Sequence, residues 1–274
     1  MKRFLSVALI FSLLFSFAAC SAKTSGKSQT EPTASPPPVI ESKQLQKEFK
    51  DENGRTVVSV DVTLPQISEN CEKTVMDYVN KTALEIFEEK CRFAESNIKN
   101  AAAFMDNSKS EKPWTSKVTF ETTYSDSRFT CFLIKEYFSY TGGEADPSYQ
   151  TKCFDLKTGE PCSALTFAID KENKSVIDEE LVNNIIIYKA DKEFYGDAGS
   201  LSENQRKAIA ENFSLDNFYL TEDGIAFYFD KSCISPTQSG VYECRMTWSE
   251  AGTVFYSPYE LAAIEAEENT SETA

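Results

Sequence analysis

Alternating polar and apolar residues, broken by short turns rich in Asp, Asn and Gly, recur along the chain from about Leu45 to Met246. Period-2 alternation buries one face of a strand, and turns this short join neighbouring strands head to tail, so the pattern requires antiparallel sheet. Val58, Val60, Val62 and Leu64 form the first stripe, opened by Glu52-Asn53-Gly54 and ended by Pro65. Trp114, Val118 and Phe120 lead into Tyr124-Ser125-Asp126-Ser127, and Phe129, Cys131, Leu133 and Tyr137 return. A strand through Cys153 and Phe154 turns at Lys157-Thr158-Gly159 and reaches Leu165-Thr166-Phe167. Phe218-Tyr219-Leu220 and the run from Ile225 to Phe229 flank Thr221-Glu222-Asp223-Gly224, and a last strand passes Val241, Cys244 and Met246.

Helical spacing separates these strands. Val75, Val79, Ile86, Phe93 and Ala94 share one face of a long helix capped by Ser68, whose pattern fades from Asn100 to Asn107 before a loop at Lys109 to Pro113. Val176, Ile177, Leu181, Ile185, Ile186 and Tyr188 mark a second helix within residues 173–194, and Ser202 to Asn212 a shorter one. A last helix or turn spans Pro258 to Ile264, and the acidic residues 265–274 are expected to fray. The expectation is an α+β fold, antiparallel sheets with helices packed on one face, in two similar-sized α+β subdomains at 45–140 and 141–264.

The amino terminus has a different grammar. Met1-Lys2-Arg3 followed by an apolar run and Phe17-Ala18-Ala19 reads as a signal peptide over residues 1–19. Small residues directly before Cys20 resemble a bacterial lipobox, in which the cysteine thiol takes a diacylglycerol. The run is too short for a transmembrane anchor. Residues 20–44, rich in Ser, Thr and Pro, then read as a tether between lipid and folded body, with a stiffer Pro36-Pro37-Pro38 segment. The expected location is extracytoplasmic, anchored to the cell membrane by a lipid on Cys20.

Composition removes several chemistries. The 274 residues contain no histidine, so a Ser-His-Asp triad, a Cys-His pair and a His-ligated zinc are excluded. Two of the 28 cationic side chains would leave with residues 1–19, so 26 would face 43 acids, a balance of −17. Such an acid excess argues against nucleic acid as a partner. No cofactor and no metal is expected. Seven cysteines follow Cys20, with no C-x-x-C. Cys153 and Cys162 flank one turn and Cys233 and Cys244 another, which makes each pair a disulfide candidate; the alternative is seven reduced core residues.

One loop carries the candidate site. Tyr140-Thr141-Gly142-Gly143-Glu144-Ala145-Asp146-Pro147-Ser148-Tyr149 places two glycines and two carboxylates between tyrosines. Glu144 and Asp146 suit acid–base work or a hard cation, and otherwise form a solvated acidic loop. The aromatic residues suit a contact surface or cross-strand packing.

Tyr137-Phe138-Ser139-Tyr140-Thr141-Gly142-Gly143, Cys153 to Gly159, Phe218 to Ile225, Tyr228-Phe229, Ser235-Pro236 with Gly240, and Trp248-Ser249-Glu250 occur in an order that resembles the ectodomain of RsiV-type anti-sigma factors. The resemblance implies an α+β ectodomain that binds a ligand, lysozyme in the RsiV-type case. The loop residues and the resemblance together give Tyr140, Gly142, Gly143, Glu144, Asp146, Tyr149, Pro236 and Gly240 as candidate ligand-binding residues. Many relatives place a histidine after the Gly-Gly pair, where this chain has Glu144-Ala145-Asp146. Without a sigma-binding segment or transmembrane helix, the anti-sigma role is not carried over. The leading expectation is a non-enzymatic lipoprotein that binds a protein, such as a cationic lysozyme, or peptidoglycan. The alternatives are a carboxylate-based cell-wall hydrolase or metal-binding envelope enzyme, and a structural accessory module of an envelope complex.

Overall fold

The computed structural model describes residues 35–143, 145–169, 179–196, 200–235, 237–252 and 254–271. The expected signal peptide, Cys20, Glu144 and Pro236 lie outside the described residues. The body is α+β, as the alternation requires: a five-stranded sheet in the order β1-β2-β3-β4-β5 and a three-stranded sheet in the order β6-β7-β8.

β1 (Val39–Lys50) and β2 (Thr56–Glu69) form a hairpin around Asp51, whose carboxylate accepts the backbone N–H groups of Asn53 and Arg55 and the Arg55 guanidinium. β1 therefore begins inside the segment expected to be tether. It is a polar, lysine-bearing edge strand, a composition that discourages pairing with further chains. β2 does not stop at Pro65 but continues to Glu69, with Pro65 opposite Ser42. The ladder to β3 ends at Val62, so Pro65 needs to satisfy only one neighbour and its missing N–H is tolerated.

The chain then crosses back over one face through α1 (Lys73–Ser96) and α2 (Ile98–Ser108). The cap of α1 is Glu72, not Ser68: its carboxylate accepts the N–H groups of Thr74 and Val75. Val75, Val79, Ala83, Ile86, Cys91 and Ala94 face the sheet, while Phe93 is largely exposed. α2 occupies the stretch where the helical pattern fades, because it buries only Ala101 and Met105. This helical crossover makes β3 (Trp114–Ser125) parallel to β2, the exception in an otherwise antiparallel sheet.

β4 (Phe129–Ser139) pairs with β3 on one side and β5 (Ser148–Asp155) on the other. The sheet thus runs across residues 140 and 141, where the two subdomains were expected to divide. β4 is buried on both faces. Phe132 and Ile134 join the core beneath α1 and α2, while Phe129, Cys131 and Leu133 join a second core on the opposite face.

That second core is closed by the remaining elements. A 3-10 turn replaces the strand expected at Leu165 to Phe167. α3 (Glu179–Tyr195) and α4 (Glu203–Asn212) follow, the latter capped by Ser202 with Gln205. β6 (Phe218–Thr221), β7 (Gly224–Asp230) and β8 (Val241–Thr247) form the three-stranded sheet, with β6 against β3, β4 and β5. The short α5 (Trp248–Ala251) and α6 (Pro258–Ser271) complete the chain. α6 extends past Glu265, where fraying was expected; the Ala- and Glu-rich sequence there favours helix. No helix among the described residues is long and apolar enough to cross a membrane.

All seven described cysteines are thiols, so neither candidate hairpin pair is bridged. Burial pushes the Cys244 thiol up to about 12, and its charged neighbours are Lys189, Glu193 and Glu250. Burial and Asp230 raise the Cys233 thiol, which therefore sits in different surroundings.

Candidate functional site

The segment from Asp146 to Tyr149 enters β5 beside the carboxyl end of β7 and the start of β8. A cleft of about 480 Å³ opens between them, lined by Asp146, Tyr149, Asn217, Tyr228, Asp230 and Gly240 together with their neighbours. The Ser239 hydroxyl donates to the Asp146 carboxylate, which ties the loop before β8 to the loop before β5. Gly240 has φ +94°, a conformation that favours glycine, and a Cβ there would lie 3.7 Å from the Asp146 side chain. Its carbonyl accepts the Lys231 N–H at 2.9 Å, which closes the loop.

Phenol rings form the floor. Tyr149 meets Tyr228 edge to face at 5.6 Å, and Tyr228 stacks on Tyr219 at 6.4 Å. The Tyr228 hydroxyl accepts a bond from Thr151 Oγ1 at 3.3 Å. At the far end of the row, Glu243 accepts the Tyr219 hydroxyl at 2.7 Å and Arg245 Nη2 at 2.9 Å. Burial pushes the Glu243 carboxyl up, but hydrogen bonds from Tyr219, Arg245 and Tyr149 outweigh it and hold the group below its ordinary value. Burial raises the Tyr149 phenol, and the Glu243 carboxylate raises it further. Those phenols stay protonated at neutral pH and act as donors.

A second cleft of about 310 Å³ lies across the same Asp146–Ser148 segment, between α1 and the helix-covered face of β3 and β4. Phe93 and Phe138 meet edge to face there at 5.4 Å. Lys90 Nζ donates to Glu136 at 2.7 Å and Glu89 at 3.3 Å. Burial would lower the Lys90 ammonium, but the bond to Glu136 and the two negative charges hold it above its ordinary value.

Of the residues singled out from sequence, Asp146, Tyr149 and Gly240 come together in the first cleft. Tyr140 does not; it packs edge to face on Phe138 at 4.8 Å and on Trp114 at 4.9 Å. Gly142 has φ +66° and lies against the Lys112 side chain, and the Gly143 N–H donates to Ser139 Oγ at 3.1 Å. These glycines form the bend by which the chain leaves β4, outside the first cleft. Asn217, Tyr228, Asp230 and Ser239 were missed. Only the Tyr228 strand end had a signal, an aromatic pair followed by an acid where an apolar strand stops.

Residues 51–149 match the family described as Deacetylase PdaC, and residues 167–249 match the family described as Protein of unknown function (DUF3298). A crystal structure of a DUF3298-family member from Bacteroides fragilis superposes with a TM-score of 0.57 at 12% identity, over 84% of this chain and 98% of that one. A DUF3298-family protein from Pseudomonas aeruginosa superposes with a TM-score of 0.52 at 10% identity, over 82% of this chain and 96% of that one. The fold is thus shared with DUF3298-family structures across both sheets. No curated protein matches the chain.

Proposed function

We propose that this chain is a non-enzymatic binding module, held outside the cytoplasm by a lipid on Cys20, that uses the Asp146–Gly240 cleft to hold a cationic protein ligand. One observation supports this most. Three segments distant in sequence, Asp146 to Tyr149, Tyr228 to Asp230 and Ser239 to Val241, converge on a cleft whose lining has two carboxylates and two phenols but no cationic side chain among the described residues. Aromatic rings supply contact area at low entropic cost, and carboxylates select a basic partner and speed its approach. The formal charge of −15 acts in the same direction. The RsiV-type resemblance favours lysozyme as that partner; peptidoglycan is the other ligand considered.

The test is calorimetry of the full chain against lysozyme at low ionic strength. Heat of binding is expected, weakening as salt rises and falling several-fold in an Asp146→Asn/Asp230→Asn variant. Absence of heat at every salt concentration, with lysozyme activity on cell walls unchanged by the protein, would refute the lysozyme reading. The family name matched by residues 51–149 supplies a second, catalytic reading. In this chain it would fall to Glu144 and Asp146, and release of acetate from acetylated glycan by the purified full chain, abolished by Glu144→Gln, would establish it.

A further inference from the structure

Three thiols stand in a row across the sheet. Cys131 on β4 lies directly opposite Cys153 on β5. On the other side of β5, Phe154 bridges Pro161 in antiparallel fashion, and the Cys162 N–H donates to the Cys153 carbonyl at 2.8 Å. That pairing sets Cys162 opposite Cys153 in turn. Directly opposed residues project to the same face, so all three side chains point into the second core. The Cys131 and Cys162 thiols both act on the Cys153 thiol. Opposed residues in antiparallel strands have Cα atoms about 4.5–5.5 Å apart, inside the range of about 4.4–6.8 Å that a disulfide spans.

Accessibility grades the row. Cys131 and Cys153 are buried, while Cys162 at the edge is partly exposed. The other described thiols differ, because none of Cys71, Cys91, Cys233 and Cys244 has a cysteine among the groups that act on it.

We propose that Cys131, Cys153 and Cys162 form a thiol–disulfide exchange site, entered by a disulfide-bearing oxidant at Cys162 and centred on Cys153, which bonds to either neighbour. In the first step the Cys162 thiol gives its proton to solvent and its sulfur attacks the oxidant. The oxidant's S–S bond breaks, one half leaves as a thiol after taking a proton, and a mixed disulfide remains on Cys162. Cys153 then loses its proton and attacks the Cys162 sulfur, which expels the second half as a thiol. Cys153 and Cys162 have together lost two electrons, and the oxidant has become two thiols. Attack of Cys131 on the Cys153 sulfur next moves the bond inward to Cys131–Cys153 and releases Cys162, with no net oxidation. Entry at the edge follows from exposure, since Cys162 is the partly exposed thiol and Cys131 and Cys153 are buried.

The experiment exposes the full chain to oxidised glutathione at neutral pH without denaturant. Acid then quenches exchange, remaining thiols are alkylated, and disulfide-linked peptides are identified by mass spectrometry. The expected wild-type product is one intramolecular disulfide containing Cys153. Cys131→Ser keeps the Cys153–Cys162 link at the wild-type rate. Cys162→Ser oxidises at least about tenfold more slowly, because only buried thiols remain in the row. Cys153→Ser gives glutathione on Cys162 and no link within the row. Recovery of wild-type Cys153 fully alkylated, or linked to a cysteine outside the row, would overturn the proposal and requires no variant to fold. Cys162→Ser oxidising as fast as wild type would overturn the entry step.

Discussion

The two cores on either side of the five-stranded sheet are built from different side chains. Beneath α1 and α2 the filling is mostly aliphatic, with Val57, Val58, Val60, Val62, Leu64 and Ile67 from β2 alone. On the opposite face aromatic rings take a larger share beside the aliphatic residues, with Phe129, Phe167, Phe218, Tyr219, Phe227 and Phe255 fully buried. Length explains the contrast. β2 has 14 residues and α1 has 24, so each presents a long regular face that β-branched and small residues fill in register. β6, β7 and β8 have 4, 7 and 7 residues, so each offers few inward positions and larger side chains there supply more buried area per position. Tyrosines in the aromatic core need partners for their hydroxyls and find them in carboxylates: Tyr219 on Glu243, and Tyr242 on Glu193. Of these polar anchors, Glu193, Tyr242 and Glu243 together line a separate cleft between α3 and β8.

β4 belongs to both cores, so a single strand couples the two sides of the sheet. Phe132 faces the aliphatic side and Phe129 the aromatic side, and both are fully buried. Phe→Ala at either position is expected to cost about 3–5 kcal/mol. Because one strand carries both faces, urea unfolding of either variant should remain a single transition by fluorescence and circular dichroism. Separate transitions, with Phe132→Ala moving only one, would show two independent units.

A smaller but more local effect is expected at Gly224, where β7 passes β8. A Cβ there would overlap the Met246 carbonyl oxygen, a backbone atom that cannot move without opening the β7–β8 pairing. Gly224→Ala should cost about 1–3 kcal/mol or somewhat more. Its amide exchange should rise along β7 and β8 while β1 and β2 keep their protection, which would separate the short sheet from the long one.

The anchors make the aromatic side the acid-sensitive one. The Glu243 carboxyl is held below its ordinary value of 4.5, so its contribution is complete above that pH and is lost as pH falls through the folded-state value. Tyr219→Phe should cost about 1.5–3 kcal/mol at neutral pH, nearer the lower figure because the Glu243 side chain is 24% exposed. The variant's stability should also fall less steeply on acidification than the wild type's. Denaturant unfolding that shows the same loss of stability from pH 7 to pH 4 in the variant and the wild type would mean that Glu243 does not set the acid sensitivity.

Regular periodicity was legible in sequence, and crossings between segments were not. The Val58–Leu64 stripe, the hairpin at Tyr124 to Ser127 and the one at Thr221 to Gly224 all correspond to strands. α2 was illegible because a helix that buries little beyond Ala101 and Met105 needs no clear apolar stripe. The Glu72 cap was obscured by Ser68, a residue type that caps more often. In the site, Asp146, Tyr149 and Gly240 were found through the loop and the family resemblance. Asn217 and Ser239 had no signal, since only the packing of β7 and β8 beside β5 brings them there.

Two positive-φ glycines separate backbone strain from the site itself. Gly54, in the β1–β2 turn, has φ +80° with nothing near its missing Cβ, while Gly240 has φ +94° and faces Asp146. Alanine at either position meets the same left-handed penalty of about 1–2 kcal/mol. At Gly54 that is the whole effect, so ligand binding should be unchanged. At Gly240 relief of the strain rotates the loop that carries Ser239, and the Ser239 hydroxyl loses the Asp146 carboxylate that ties the two loops together. Gly240→Ala should therefore weaken lysozyme binding several-fold beyond any change in stability, whereas Gly54→Ala, with similar destabilisation, binds like wild type. Equal affinities in the two variants would mean that the loop before β8 takes no part in recognition, and would leave the Asp146–Tyr149 side of the cleft to act without it.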